Sequence, residues 1–251
     1  MNMLSDQELE YRHLGEVSST NDYLHDYQPH ASITVVTADY QTRGRGQVGN
    51  TWVSNRGQNL LFSVLVSPPV LRAGYGFVLS QAMALAIRDE LLRHIPNGIS
   101  IKWPNDIYCH GRKICGTLIE NTLSGSFVAR SVIGSGINVN QTDFPSGLAV
   151  PPTSLQMELG HAVDVEELLQ GILRHFRAYY GEVQCGEYAR IRQLYHDSLY
   201  MKGKLCTFRD SIGLFQGTIL HVEPGGHLVI RDASMHERRY AFKEVKLVRN
   251  G

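Results

Sequence analysis

The chain has 251 residues, and its 24 Lys plus Arg balance its 24 Asp plus Glu, so no global positive field favours nucleic acid or an anionic membrane as a partner. No apolar run approaches the roughly 20 residues of a membrane span. The polar N-terminal segment is untypical of a signal peptide, and the four cysteines form no C-x-x-C pair, which favours a reducing cytosol. We therefore expect a cytoplasmic globular protein with a substantial core.

Helices and strands are predicted from hydrophobic periodicity, capping residues and turn residues. In the first hundred residues they are a short capped helix over 21–28, strands over 33–38 and 59–67, and a helix over 74–94. A strand over 99–103, a hairpin around 110–111 and a strand over 126–138, reached through a turn at 124–125, follow. A loop over 141–153 then leads to helices over 165–180 and 187–199. Strand-to-strand pairings with few helices predict an α+β fold, a mixed sheet with helices on one face.

The sequence changes character after residue 200. Five short apolar segments separated by turns follow within about fifty residues, and that density predicts a small β-barrel. We therefore place a domain boundary between a larger domain over 1–200 and the barrel over 201–251.

The segment RGRGQVGN over 43–50 spells G-x-G-x-x-G. A dinucleotide-binding turn requires a helix directly after it, whereas the residues that follow predict a strand. A single arginine–glycine segment inside a folded core is also untypical of an RNA-binding box. Two interpretations stay open: a plain surface loop, or a mobile flap whose N–H and guanidinium groups close on phosphate or carboxylate oxygens.

A second motif, KWPND over 102–106, ends a predicted strand. Pro104 forces Trp103 to be extended and stops the strand, so Lys102 leaves the sheet at a fixed angle. Taken alone, this is more simply a turn with one exposed lysine. Two further motifs, RK-x-x-G over 112–116 and G-x-G-I-N over 134–138, place a basic pair and closely approaching glycines on neighbouring strands.

In this order the motifs resemble those of biotin protein ligases: Ser19-Thr20-Asn21, then Gln41 followed by GRG and Trp52, then KWPND, RK-x-x-G and G-x-G-I-N. The resemblance covers about residues 15 to 140, and the C-terminal part resembles the family more weakly. It implies the class II synthetase-like biotin/lipoate ligase fold with an SH3-like C-terminal barrel. The resemblance also implies that residues 1–200 form the biotin- and ATP-binding catalytic domain.

The resemblance implies a two-step ligase. The carboxylate of biotin attacks the α-phosphate of MgATP, which gives biotinyl-5′-AMP and pyrophosphate. A lysine amine on a biotin carboxyl carrier domain of a biotin-dependent carboxylase then attacks this adenylate and releases AMP. ATP, Mg²⁺ and biotin are therefore the expected small molecules, Mg²⁺ arrives with ATP, and no permanent protein metal site is expected.

The resemblance also implies residue roles. Lys102 would bridge the carboxylate and the α-phosphate, Arg45 would contact the adenylate, and Asp106 and Lys113 would position nucleotide, Mg²⁺ or the attacking amine. The implied biotin-binding residues are Ser19, Thr20, Asn21, Gln41, Gly44, Arg45, Gly46, Gln47, Lys102, Gly116, Gly134 and Gly136. The implied ATP- or adenylate-binding residues are Arg43, Arg45, Trp52, Lys102, Asn105, Lys113 and Asn138. Simple capping explains Ser19 and Thr20 equally well, and Trp52 is also typical of a core aromatic.

The chain departs from the family pattern in three places. Gln47, Val48 and Asn50 stand where many relatives carry arginines, which predicts looser retention of the adenylate under the 43–50 lid. Phe144 is the one aromatic candidate in the loop after Asn140. The biotin-type motif is reached by residue 19, so we expect no N-terminal helix-turn-helix and no repressor activity.

Two other functions remain as alternatives. Lipoate or octanoyl protein ligases resemble this fold and chemistry, but they generally show a more glycine-rich R-R-x-S-G-G-G loop, and KWPND favours biotin. A non-catalytic biotin sensor is disfavoured because Lys102 is present. The sequence leaves a monomer and a homodimer equally open, since sheet edges can mediate pairing.

Overall fold

The computed structural model describes residues 9–47, 49–145, 147 and 150–248, and its larger part is built on a seven-stranded sheet. The strands lie in the order β1-β2-β3-β7-β6-β5-β4, with β1 parallel to β2 and every other neighbouring pair antiparallel. Their bounds are β1 Leu9–Leu14, β2 Ile33–Ala38, β3 Leu60–Val66, β4 Ile99–Lys102, β5 Asp106–Cys109, β6 Arg112–Ser124 and β7 Phe127–Ile137. The predicted mixed sheet is confirmed.

Helices lie on both faces of this sheet, whereas we expected them on one face, because a short helix packs on the face opposite the long ones. They are α1 Thr20–His25, α2 Phe77–His94, α3 Leu155–Leu159, α4 Val165–Gln184 and α5 Ala189–Asp197, with a 3-10 turn over Ala73–Tyr75. The long helices α2 and α4 pack in the main core with Val35 and Val64. The short helix α1 covers the other face, where Leu24 packs with Val36 and Leu65. Because both faces are covered, β2 and β3 are buried along their whole length, as their continuous apolar runs predicted.

Most predicted elements are confirmed within a few residues. The hairpin at His110-Gly111 is present, with φ of 48° and 77° at its two turn residues. The turn between β6 and β7 lies at 125–126, one residue later than predicted, and α4 continues to Gln184. The strand β1 and the helix α3 were not predicted from the sequence. The strand β1 is an edge strand with only partly buried or exposed side chains, and α3 is a five-residue helix capped by Ser154, so neither has a long periodic signal.

The C-terminal part is a five-stranded antiparallel sheet in the order β11-β10-β9-β8-β12. Its strands are β8 Leu205–Arg209, β9 Leu214–Val222, β10 Leu228–Asp232, β11 Glu237–Tyr240 and β12 Lys246–Leu247. This confirms the predicted second β unit, while the boundary at residue 201 stays a prediction. Among the described residues, no helix is long and apolar enough to cross a membrane.

Trp103 connects the β4–β5 turn to the C-terminal sheet. Its indole nitrogen donates a 2.8 Å hydrogen bond to the Gly226 carbonyl, and its ring lies 5.5 Å from that of Phe242 at an interplanar angle of 67°. The side chain is buried. The KWPND turn therefore contacts both parts of the molecule.

We expect Trp103→Phe to lower the free energy of unfolding by about 1–2 kcal/mol, because the buried Gly226 carbonyl loses its donor. Denaturant unfolding measures the change. Trp52→Phe is the matched control, since the indole nitrogen of Trp52 has no hydrogen-bond acceptor within the described residues. An equal loss for both variants would contradict a role of the Gly226 bond in stability.

Candidate active site

One cavity of about 470 Å³ lies where α1, the glycine-rich segment, the KWPND turn and strands β6 and β7 meet. Most of the sequence-predicted site residues line it: Ser19, Thr20, Asn21, Gln41, Arg45, Gly46, Gln47, Trp52, Lys102, Asn105, Asp106, Lys113, Gly116, Gly134 and Gly136. These positions span more than a hundred residues of chain, and the sheet order β7-β6-β5 joins them into a common wall.

Three predicted residues are not brought to the cavity wall. Arg43 is exposed, and its position is not on the lining. Gly44 is buried behind the wall, where a Cβ would lie 2.4 Å from the Trp52 carbonyl oxygen. Asn138 is buried, and its amide donates to the Thr153 carbonyl at 3.0 Å, so the structure gives it a structural bond, and the nucleotide contact we expected stays a prediction. Phe144 also lies away from the lining, and Val48 lies outside the described residues.

A network of buried polar side chains forms the wall next to α1. The Gln41 side-chain oxygen accepts from the Thr20 backbone N–H at 2.8 Å and from the Thr20 hydroxyl at 3.2 Å. The Ser63 hydroxyl lies 2.7 Å from both Thr20 Oγ1 and Asn21 Oδ1, and the Asn21 amide donates to Glu120 at 2.9 Å. Such a connected network holds donors and acceptors in fixed directions.

The sequence reading missed Ser63 and Glu120. Ser63 is the polar residue within the buried run LLFSVLV of β3, and a hydroxyl there needs a partner. That requirement is the signal that would have pointed to it. Glu120 lies four residues beyond the RK-x-x-G motif and carries no comparable local signal.

Two glycines of β7 make room for the side chains that shape the cavity. A Cβ at Gly134 would lie 1.9 Å from Asn21 Oδ1, and one at Gly136 would lie 2.4 Å from Cε2 of Trp52. The indole of Trp52 therefore packs directly on the β7 backbone. Trp52 also lines the cavity, with the ammonium of Lys113 at 5.8 Å from its ring centroid, and its contact to ATP or the adenylate stays a prediction.

The glycine-rich segment folds back on itself. The Trp52 N–H donates to the Gly44 carbonyl and the Gly46 N–H to the Asn50 carbonyl, both at 2.9 Å. Arg45 lines the cavity, but its guanidinium donates at 2.6 Å to both Asp22 and Glu120. Hydrogen bonds to Asp22 and Glu120 raise the pKa of Arg45. Two carboxylates, on α1 and β6, thus hold the charge of Arg45 at the cavity wall, and its contact to the adenylate stays a prediction.

The KWPND turn and β6 supply the basic part of the wall. The peptide between Trp103 and Pro104 is cis. Lys102 extends from the end of β4, with its ammonium 6.0 Å from the ring centroid of Tyr108. Lys113 forms a 2.7 Å ion pair with Asp106. Asn105 donates to the Thr117 carbonyl at 2.7 Å, which fastens the turn to β6 and fixes the direction in which Lys102 leaves the sheet.

The C-terminal part contributes two further cations that line the same cavity, Lys246 in β12 and Lys243 in the turn before it. The sequence reading assigned no residue of this part to the site. Neither lysine belongs to a motif, and only the packing of the second sheet against the KWPND turn places them there. Among the described residues that line the cavity, four lysines outnumber the one carboxylate, Asp106, even when Arg45 is neutralised by Asp22 and Glu120, so the cavity suits an anionic ligand.

Comparison with known proteins gives a consistent result. The model of the biotin/lipoate A/B protein ligase family matches residues 14–138. The biotin–[acetyl-CoA-carboxylase] ligase of Paracoccus denitrificans is 32% identical over 228 residues, which cover 87% of this chain and 92% of that protein. A bifunctional ligase/repressor of Bacillus spizizenii is 32% identical over 219 residues, covering 85% of this chain and 67% of that protein. The structure of a biotin protein ligase from Aquifex aeolicus in complex with biotin and ATP is similar with a TM-score of 0.78 and 25% identity, over 96% of this chain and 99% of that one.

Proposed function

Because the chain belongs to the biotin protein ligase family, we propose that it activates biotin with MgATP to biotinyl-5′-AMP and transfers biotin to one lysine of a biotin carboxyl carrier domain. The observation that carries the proposal is a single cavity that combines a fixed polar network with Lys102, Lys113 and two lysines of the C-terminal part. An uncharged polar head group, a carboxylate and a triphosphate can all find partners there.

The polar network suits the ureido group of biotin, which requires both donors and acceptors. The Gln41 oxygen accepts from Thr20, which leaves the Gln41 amide nitrogen as a donor. Ser63 fixes the hydroxyl of Thr20 and the amide of Asn21. Because these groups are already ordered before a ligand enters, binding loses little side-chain entropy.

The adenylation step concentrates negative charge where the biotin carboxylate meets the α-phosphate. A lysine ammonium at about 4 Å from such a charge is worth roughly 4 kcal/mol at an effective dielectric constant near 20. We assign this role to Lys102. Mg²⁺ enters with the triphosphate, and Asp106 is the carboxylate on the lining that can share it. This fits a hard cation that prefers oxygen ligands.

The adenylate is a mixed anhydride that water hydrolyses. The described residues of the glycine-rich segment, 43–47 and 49–50, lie beside the cavity, and the segment is proposed to exclude water from the intermediate. With Arg45 bound to Asp22 and Glu120, the segment begins from an anchored conformation. Closure on the adenylate would exchange at least one of these carboxylates for a phosphate oxygen.

The transfer reaction tests the proposal. Purified protein with biotin, MgATP and a carrier domain is expected to release pyrophosphate and to biotinylate one lysine, as mass spectrometry measures. Octanoate or lipoate in place of biotin should give far less product, and equal or greater octanoyl transfer would overturn the biotin assignment. Binding of biotin without release of pyrophosphate or transfer would point to the sensor alternative. The absence of repressor activity, the cytoplasmic location and the oligomeric state stay predictions.

We expect Lys246→Ala to raise the KM for ATP about tenfold, because loss of one partly solvated cation near a triphosphate removes about 1.4 kcal/mol. Steady-state pyrophosphate release at varied ATP measures this, and the affinity for biotin should stay unchanged. Arg209→Ala is the matched control, since Arg209 pairs with Lys246 across β8 and β12 but does not line the cavity. Equal KM values for ATP in both variants would contradict a role of Lys246 in ATP binding.

A further inference from the structure

A cysteine, a histidine and a glutamate meet at the turn between β5 and β6, away from the catalytic cavity. Cys109 ends β5, His110 is the first turn residue, and Glu158 extends from α3. His110 Nδ1 lies 3.5 Å from Cys109 Sγ and 3.1 Å from Glu158 Oε2. The three ligand atoms all lie within 4.8 Å of one another, which is the arrangement of a chelating cluster.

The imidazole of His110 is held in one orientation by the neighbouring backbone. A Cβ at Gly98 would lie 2.3 Å from Cδ2 and 2.4 Å from Nε2 of His110, so this edge of the ring packs where Gly98 has no side chain. The backbone N–H of His110 also donates to the Gly98 carbonyl at 2.9 Å. With that edge of the ring seated on Gly98, Nδ1 is directed toward Cys109 and Glu158.

The Glu158 carboxylate is oriented by two further residues. Its Oε1 accepts from Thr153 at 2.5 Å and from Arg112 at 2.7 Å, while Oε2 faces His110. The side chain is only 8% exposed. A carboxylate with one oxygen held by neighbours and the other directed at an imidazole matches the way outer partners orient metal ligands in proteins.

Two of the three separations between ligand atoms agree with tetrahedral coordination. Metal–ligand bonds of about 2.0 Å to nitrogen or oxygen and about 2.3 Å to sulfur place two ligand atoms roughly 3.3–3.6 Å apart at a tetrahedral centre. The observed nitrogen–oxygen and nitrogen–sulfur separations are 3.1 and 3.5 Å. A thiolate with an imidazole selects a soft or borderline metal and disfavours Mg²⁺ or Ca²⁺.

We propose that Cys109, His110 and Glu158 bind one Zn²⁺ ion, with water as the fourth ligand. The cluster borders a second cavity of about 590 Å³, which His110 and Arg112 line and which separates the hairpin from strand β8, so solvent has a route to the open position. Binding releases the thiol proton to water as the Zn–S bond forms. The ion would join β5 to α3 and so fasten the hairpin that carries Asp106 and Lys113. This inference is independent of the proposed ligase activity.

Cobalt substitution tests the site directly. Untagged, metal-free protein, kept reduced with a phosphine, is titrated with Co²⁺ and followed by absorption. We expect one equivalent to give a near-ultraviolet thiolate-to-cobalt band and the intense visible bands of a tetrahedral centre, and Zn²⁺ should displace both. Thr153→Val, which removes an outer hydrogen bond from Glu158, should weaken Co²⁺ binding about 10–100-fold.

Single variants separate the cluster from other thiols. Cys109→Ser should abolish the near-ultraviolet band, and the isosteric Glu158→Gln should weaken Co²⁺ binding by at least about tenfold while far-ultraviolet circular dichroism confirms folding. Cys206→Ser is the matched control, because Cys206 is a buried thiol on the wall of the same second cavity, and its spectrum should equal that of the parent. No band in the parent protein, an octahedral spectrum, a band that survives Cys109→Ser, or unchanged Co²⁺ affinity in Glu158→Gln would each overturn the proposal.

Discussion

Lys102→Ala is expected to slow adenylation roughly 10²–10³-fold, the typical loss when one preorganised contact to developing charge is removed. The variant should still bind biotin with nearly the parent affinity, because the polar network around Thr20 and Gln41 does not involve Lys102. Pyrophosphate release measures the first effect and isothermal titration with biotin measures the second.

Lys204→Ala is the control for this variant, since Lys204 is an exposed lysine that does not line the cavity. It should adenylate biotin at the parent rate. A Lys102→Ala protein that releases pyrophosphate at nearly the parent rate would refute the assignment of Lys102. A parallel loss of biotin binding would instead mean that Lys102 acts mainly in binding.

Gly134→Ala is expected to lower the affinity for biotin about 100-fold and to destabilise the protein by about 2–4 kcal/mol. The added Cβ would lie 1.9 Å from Asn21 Oδ1, so Asn21 must leave its bonds to Ser63 and Glu120. Overpacking and the buried polar groups left without partners each cost about 1–3 kcal/mol. A 100-fold loss of affinity corresponds to about 2.8 kcal/mol.

Gly15→Ala makes the same substitution where nothing lies within 4 Å of the added Cβ and no positive φ is required. It should leave denaturant unfolding and biotin titration unchanged. If Gly134→Ala is destabilised yet binds biotin with the parent affinity, the wall formed by Asn21 is not part of the biotin site.

Much of the fold was predictable because its signals are local. The buried runs of β2 and β3, the periodicity of α2 and α4, and the turn at His110-Gly111 each depend on a few neighbouring residues. The edge strand β1 and the short helix α3 were missed because their stability comes from tertiary contacts. The hydroxyl of Tyr11 in β1, for example, bonds Glu166 near the start of α4 at 3.0 Å.

The motif residues could also be predicted from the sequence, but the residues that they bond in the structure could not. Arg45 is recognisable from the GRG motif, yet Asp22 and Glu120 decide where its guanidinium lies. Asn138 closes the G-x-G-I-N motif, yet its amide is taken by Thr153.

The sequence by itself determined the family motifs, the mixed sheet and the identity of the catalytic candidate Lys102, since periodicity, proline and glycine act over a few residues. Only the tertiary structure decided which side chains share the cavity, among them Lys243 and Lys246 from the C-terminal part, and that Ser63, from the middle of an apolar strand, holds Thr20 and Asn21 in its wall. The physical reason is that hydrogen bonds and ion pairs depend on distances of about 3 Å between atoms, and those distances are set by how the sheets and helices pack.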